Sequence, residues 1–410
     1  VRKKIIVLFS CTILLAGCYD QNEIEQQAYV MAIGLDKADG VGKVKVTFLI
    51  ANPEVGTAAG GGSPDEPPSE IVSFVAPDFS TARDTANAFV AKRLRFSHAQ
   101  TLIVSEELAR STIFLQHMYG TIRDREVRRE MNIVVSRENA SDFLRDNNPL
   151  LESRAHKYYQ FMINRSIETG LAPAADIHRF MQITEGDGDL YLAIYATTKQ
   201  EGSVDVNEDE FYAGQIEKEG GNPTQVVGSA VFQEGKMIGV LTGEETRLSL
   251  LLDNSSQAES MLVTYQDPLN EEYRIGARVL KKESTKIVMD LQKEQPSVTA
   301  TVPLSLELTA IPSLENYITD FKKQALLERF IEEDLGKKAQ KFIAKTQEEF
   351  KGEPFYWSLV ARKQFSTNKA YTEYDWKKAY PNLDINVNFE IEITEFGQQV
   401  ETPELPKVRD

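Results

Sequence analysis

Cysteine is almost absent: two in 410 residues cannot build a disulfide framework or a four-thiolate zinc site. Histidine is nearly as scarce, and none of the four (His98, His117, His156, His178) lies in an H-E-x-x-H helix or a Cys/His cluster. No stretch approaches the 18 consecutive apolar residues of a membrane-spanning helix. Positive charge is also short: 46 Lys and Arg face 62 Asp and Glu, a formal net charge of −16. That balance argues against nucleic acid, whose phosphates select clustered cations, and against electrostatic adsorption to anionic lipid. What is present is the composition of a folded protein, 41% hydrophobic and 26% charged, long enough for two or three domains.

The first residues add a covalent route to a membrane. Arg2, Lys3 and Lys4 form a positive n-region, and Ile5 to Leu15 is an apolar stretch too short to span a bilayer core, which needs ~20 residues. This reads as a signal peptide over residues 1–17, with Val1 expected to be a start codon translated as valine. Leu15-Ala16-Gly17-Cys18 then resembles the lipobox of bacterial lipoproteins, in which the cysteine thiol receives diacylglycerol before cleavage. Cutting there removes Cys11 and three basic residues but no acid, leaving 43 bases against 62 acids, net −19. Cys18 is thus the expected lipidation site, and thiol catalysis and disulfide pairing are excluded for the mature monomer. Two acyl chains, at ~0.8 kcal/mol per buried CH₂, hold a protein where one would not.

Along the mature chain the pattern predicts an α+β fold: three mixed α/β domains, largely antiparallel sheets with helices packed on them. Residues 18–197 form an N-terminal α/β domain. It has a strand pair at Tyr29–Leu35 and Lys43–Ile50, a mobile Gly- and Pro-rich loop from Asn52 to Ser69, and a helix from about Thr81 carrying Ala82, Ala86, Phe89, Val90 and Leu94 on one face. A second helix is expected from Glu107 to Ile122, mainly helical chain from Ser141 to Met181, and a last strand at Leu190–Thr197. The polar, Gly-rich stretch 198–224 opens a small middle domain, 198–258, with a hairpin at Val226–Phe232 and Lys236–Leu241. Residues 259–398 form a C-terminal α+β domain. Its strands are Tyr273–Leu280, Thr285–Leu291, Val298–Leu308 and Asp384–Thr394. Its long helix, Glu315–Phe350, places Leu327, Ile331, Leu335, Ala339 and Phe342 on one stripe, which packs on its own sheet. Residues 399–410 are a polar tail.

No catalytic constellation emerges. His98, beside Ser97 at the start of a strand, reads as a structural hydrogen-bonding residue. Gly61-Gly62-Ser63-Pro64-Asp65 fails the nucleophile-elbow pattern, and Gly40-Val41-Gly42-Lys43 lacks both the first glycine and the Ser or Thr of a phosphate loop. Asp187-Gly188-Asp189 begins like a calcium loop but meets Tyr191 and Leu192 where ligand and glycine are needed, so it reads as a turn. Arg123 to Glu130 intermingles signs, as on a solvated helix end whose charges pair with one another. Glu106-Glu107 and Glu332-Glu333 are adjacent and diverge on a helix. No metal or cofactor is expected.

Several collinear stretches nevertheless resemble the Ger(x)C family, the lipoprotein C subunits of nutrient germinant receptors in endospore-forming bacteria. They are Gly17-Cys18-Tyr19-Asp20 with Glu23-Ile24, Ala28 and Ile33-Gly34-Leu35-Asp36-Lys37; Phe96-Ser97-His98 through Leu102-Ile103-Val104 to Glu106-Glu107-Leu108-Ala109, with Arg123-Asp124 and Glu126; and Gly228-Ser229-Ala230-Val231-Phe232 with Lys236, Ile238-Gly239 and Leu241. A section holding Trp357 and Trp376 closes the order. Tyr19 departs from the family's usual Trp. The resemblance implies three compact mixed α/β domains and a non-enzymatic subunit anchored through Cys18 on the outer face of the spore inner membrane. Its partners would be a membrane A subunit and a transporter-like B subunit that together detect nutrients and trigger germination. Two alternatives stand beside it. A substrate-binding lipoprotein of an uptake system would need two βαβ lobes around a cleft, and an envelope hydrolase would need a nucleophile, metal set or separated acid pair.

Overall fold

The computed structural model describes residues 26–51, 69–147, 149, 155–186, 189–202, 209–253 and 260–397. The signal peptide, Cys18, the 52–68 loop with Gly61–Asp65, Asp187 and Gly188, and the 399–410 tail lie outside these. β1 (Gln27–Lys37) and β2 (Val44–Ala51) pair antiparallel around a turn in which Gly40 and Gly42 both take positive φ (102° and 71°), a conformation that costs glycine little. β3 (Ser69–Ala76) adds to β2.

Helix α1 (Phe79–Ala86) starts earlier than Thr81, because Asp78 is the cap: its carboxylate accepts from the Thr81 backbone N–H at 2.8 Å and from the Thr81 hydroxyl at 2.6 Å. It also stops at Ala86, so three residues assigned to its apolar face, Phe89, Val90 and Leu94, lie beyond it. Phe89 is exposed beyond the helix end and Leu94 sits in β4 (Arg93–Arg95). β5 (Thr101–Ser105) is followed by two short helices, α2 (Glu106–Ala109) and α3 (Ile113–Thr121), rather than one. The break falls where the Ser111 hydroxyl donates to Leu108 O at 2.7 Å. β6 (Asn132–Ser136), α4 (Ala140–Asp146), α5 (Ala155–Glu168), α6 (Ile177–Thr184) and β7 (Tyr191–Thr197) complete this part. β1, β5, β6 and β7 run parallel, and every residue of β5 and β7 is buried, which is why their sequences are unbroken apolar or small runs.

The sheet does not end at residue 197. β8 (Gln225–Gln233) pairs antiparallel with β7, and β9 (Lys236–Leu241) with β8, through the two-residue loop Glu234-Gly235, both at positive φ. The strands expected to found a separate middle domain, 198–258, are therefore the last two of the first sheet, whose order is β3-β2-β1-β5-β6-β7-β8-β9 with β4 beside β1. The polar stretch before them is knitted into the body: Ala213 N–H donates to Val227 O, and the Gln225 amide serves Gly214 and Ile216. Helix α7 (Gly243–Leu252) follows, begun by a reciprocal Thr242–Glu245 capping box.

The second sheet holds β10 (Met261–Gln266), β11 (Arg274–Leu280), β12 (Lys286–Asp290) and β13 (Ser297–Ala310) in the order β10-β11-β13-β12. The chain then forms helix α8 (Phe321–Lys345), capped by Asp320, and a wider π turn at Thr346–Phe350. Three short helices follow, α9 (Trp357–Arg362), α10 (Asn368–Tyr374) and α11 (Trp376–Ala379), before β14 (Asp384–Glu395) returns parallel to β13. The expected stripe Leu327, Ile331, Leu335, Ala339 and Phe342 is buried on this sheet, and the α+β class stands.

Two hydrophobic cores result, and they share a wall. In β7 and β8 alternate side chains point to opposite faces. Tyr191, Ala193, Ala230 and Phe232 belong to the first core, while Leu192, Val231 and nearby Leu190 and Leu241 belong to the second with Leu248 of α7.

Candidate functional site

Where the second core meets this wall, a loop from the far half closes on the start of β7. After the π turn the backbone turns sharply, with Lys351 and Tyr356 both in the left-handed region (φ 52° and 58°), and carries Glu353 into the interior. Asp189 and Glu353 form an isolated parallel bridge, and Leu190 N–H donates to Glu353 O at 2.9 Å. Glu353 is fully buried and accepts from the backbone N–H groups of Phe355 (2.6 Å) and Ser358 (2.9 Å). The Ser358 hydroxyl donates to Asp189 Oδ2 at 2.7 Å. Burial, then the Asp189 charge, pushes the Glu353 carboxyl well above the ordinary range, and burial raises Asp189 too. Asp189 Oδ1 is buried without a hydrogen-bond partner among the described residues; two acids in one dry site cannot both ionise cheaply, and one proton held between the carboxyls would satisfy that atom.

Arg179 of α6 stands beside them. Its Nη2 pairs with Asp253 at 2.9 Å, its Nε donates to the Tyr356 hydroxyl, and its guanidinium lies 4.2 Å from the Tyr356 ring centroid. Two adjoining clefts open along the seam. One, of about 530 Å³, is lined by His178, Arg179, Tyr356, Ser358 and Arg362; the other, of about 300 Å³, by Gln233, Glu234, Asp375, Trp376 and Lys377. Ile183, Gly186, Asp189 and Tyr371 border both. Among the described residues no group of three His, Cys, Asp or Glu is arranged to hold a metal, and no helix is long and apolar enough to cross a membrane.

Of the residues singled out in the sequence, His178 and Asp189 line the clefts and Trp357 and Trp376 lie beside them, while the others do not gather here. His98 accepts or donates at 3.1 Å with Ser97 Oγ and packs edge-on against Tyr29, a structural contact as expected. His117 is buried and burial lowers its pKa, while the His156 side chain lies outside the described residues. Glu106 and Glu107 diverge, Glu106 to Arg110 and the Tyr195 hydroxyl, Glu107 to Lys37. The Arg123–Glu130 segment is not a self-paired helix end. It is a turn whose Asp124 and Glu126 reach Arg83 and Arg95 on other elements, and Glu126 also accepts from Phe96 N–H at 3.0 Å. Both acids converge on Arg83, and Glu126 adds Arg95, because the turn faces those elements. Sequence reasoning missed the Asp189–Glu353 pair. The signal was an acid at position 353 set among Pro354, Phe355, Tyr356 and Trp357, where a solvated carboxylate has no reason to be.

Two family models match the chain in order. One, described as a spore germination protein N-terminal domain, covers residues 20–197. The other, spore germination B3/GerAC like, C-terminal, covers residues 227–397. Spore germination protein B3 of Bacillus subtilis (strain 168) is 22% identical over 408 residues, 96% of this chain and 98% of that protein. Spore germination protein KC of the same organism is 28% identical over 139 residues, 33% of this chain and 34% of its own. The crystal structure of the GerBC protein superposes with a TM-score of 0.52 at 17% identity, over 91% of this chain and 99% of that one, a likeness of fold.

Proposed function

The chain belongs to the Ger(x)C family of spore germination proteins, and from that premise we propose that it is the lipid-anchored, non-enzymatic subunit of a nutrient germinant receptor. The observation that carries this reading is the pair of family matches, in order, over the parts of the chain that build both sheets. The lipobox at Leu15-Ala16-Gly17-Cys18 supports attachment through Cys18 to the outer face of the spore inner membrane, where the subunit assembles with membrane A and B subunits. A body of net charge −19 gains nothing electrostatically from an anionic surface, so the acyl chains do the holding.

Replacing Cys18 with Ala in the sporulating host tests the anchor and the role together. The variant is expected in the soluble fraction, absent from A and B subunits purified from spore membranes, and the nutrient response is expected to fall to the level of a strain lacking the protein. Full germination with the protein released from membranes would overturn the proposal.

A further inference from the structure

The receptor role makes no use of the carboxyl pair at the seam. Asp189 belongs to the wall of the first sheet, at the start of β7, and Glu353 to the loop that closes the second core. Bonds within the loop do not need the shared proton: Phe355 and Ser358 N–H donate to Glu353 whether it is neutral or charged, and more strongly when charged. Across the seam, Leu190 N–H to Glu353 O and the Ser358 hydroxyl to Asp189 do not need that proton either, and it is the contact between the two carboxyls that depends on it. We propose that Asp189 and Glu353 form a proton-held latch, which fastens the loop after α8 to the wall between the two cores and releases it when the shared proton leaves.

The surroundings decide which way the latch responds. Arg179 faces the pair from α6 and is already balanced by Asp253 at the end of α7. Tyr356 flanks the pair from the loop and Tyr380 faces Glu353 from the turn before β14. Asp176, which caps α6, and Tyr191 stand next to them. Lys281, at the end of β11, donates to Asp253 O at 2.6 Å, and burial holds its pKa down to about 8. Among the described residues Arg179 is the cation that acts on the pair; His178, Arg362 and Lys377 line the clefts that Asp189 borders, and Lys281 loses its own charge as pH rises through about 8. Both carboxyls have folded-state pKa values above their unfolded ones. The unfolded chain therefore gives up these protons first as pH rises from about 4, and the latch loses stability progressively from there until the pair ionises in its turn.

Trp357 and Trp376 are the two tryptophans of the chain, both buried beside this seam, with Trp357 Nε1 donating to Leu252 O of α7 at 3.1 Å. They report its opening without a label. In the full chain, tryptophan emission is expected to shift to the red and Tm to fall by at least about 2 °C between about pH 5 and 9. In Glu353→Gln the uncharged amide replaces the proton and donates to Asp189. Both curves are expected to flatten, with Tm at pH 9 above that of the parent; Asp189→Asn should act the same way. A parent protein whose emission and Tm stay flat over that range overturns the latch. So do variants whose slopes parallel the parent's, and so does a slope abolished instead by Lys281→Arg, which keeps its charge at alkaline pH.

Discussion

Asp36 shows how much one side chain in a recurring motif can do. It is 1% exposed at the end of β1, and its carboxylate accepts from the backbone N–H groups of Ala140 (2.5 Å) and Ser141 (3.0 Å), the first residues of α4. The cap of that helix thus comes from a strand over a hundred residues away. Gly34, two residues earlier, lets α4 lie against β1: a Cβ there would stand 3.1 Å from Leu144 Cδ1 and 3.2 Å from Ala140 Cβ. The motif Ile33-Gly34-Leu35-Asp36-Lys37 is therefore a docking place for one helix. Asp36→Ala leaves two buried donors unpaired and is expected to cost about 2–4 kcal/mol by denaturant unfolding, with Asp36→Asn losing less because its carbonyl still accepts one bond. The motif was legible in the sequence, but its purpose was not, since nothing local connects residue 36 to residue 140. The same separation hid Asp189 from Glu353.

At the scale of elements, helix α8 does two jobs with two faces. Its apolar stripe, read directly from spacings of three and four, packs on the second sheet. A polar row at spacings of four, Gln324, Glu328 and Glu332, runs along the free edge of β14. Glu328 and Glu332 accept the backbone N–H groups of Ile393 and Ile391, each at 3.0 Å, and Gln324 donates to Ile393 O at 3.3 Å. An edge strand of twelve residues is otherwise a template for another chain. Replacing Glu328 and Glu332 together with Ala should speed hydrogen exchange at the Ile391 and Ile393 amides and destabilise the fold by about 1–3 kcal/mol. Unchanged exchange at both amides would show that the row is ornamental. Periodicity revealed β13, β14 and the stripe of α8 because burial alternates or repeats there. It missed β10, whose run Met261-Leu262-Val263-Thr264-Tyr265-Gln266 turns Met261, Val263 and Tyr265 to the core but carries the apolar Leu262 on the exposed face, which hides the alternation in sequence.

For the molecule as a whole, the shared wall makes the two cores interdependent. Melting either one strips a face from β7 and β8, so thermal unfolding of the described body should proceed as a single calorimetric transition with near-UV and far-UV signals in step. Two separated transitions would mean that the wall holds without one of its cores. Composition suggested a domain boundary across 198–224, yet the strand that follows it joins the same sheet as the strand before it. The pairing of β7 with β8 spans it, and that pairing depends on residues on both sides of the interval, which no local window contains.

On the proposed attachment at Cys18, the position of β1 bears on how the body would hang from a membrane. Gln27 follows Cys18 by nine residues, a leash that reaches about 30 Å when fully drawn out. It is tied to an inner strand: β1 has β2 along one side and β5 along the other. A pull transmitted from such an anchor would have to shear two ladders at once instead of peeling a margin, so the proposed tether would load the first sheet where it resists best.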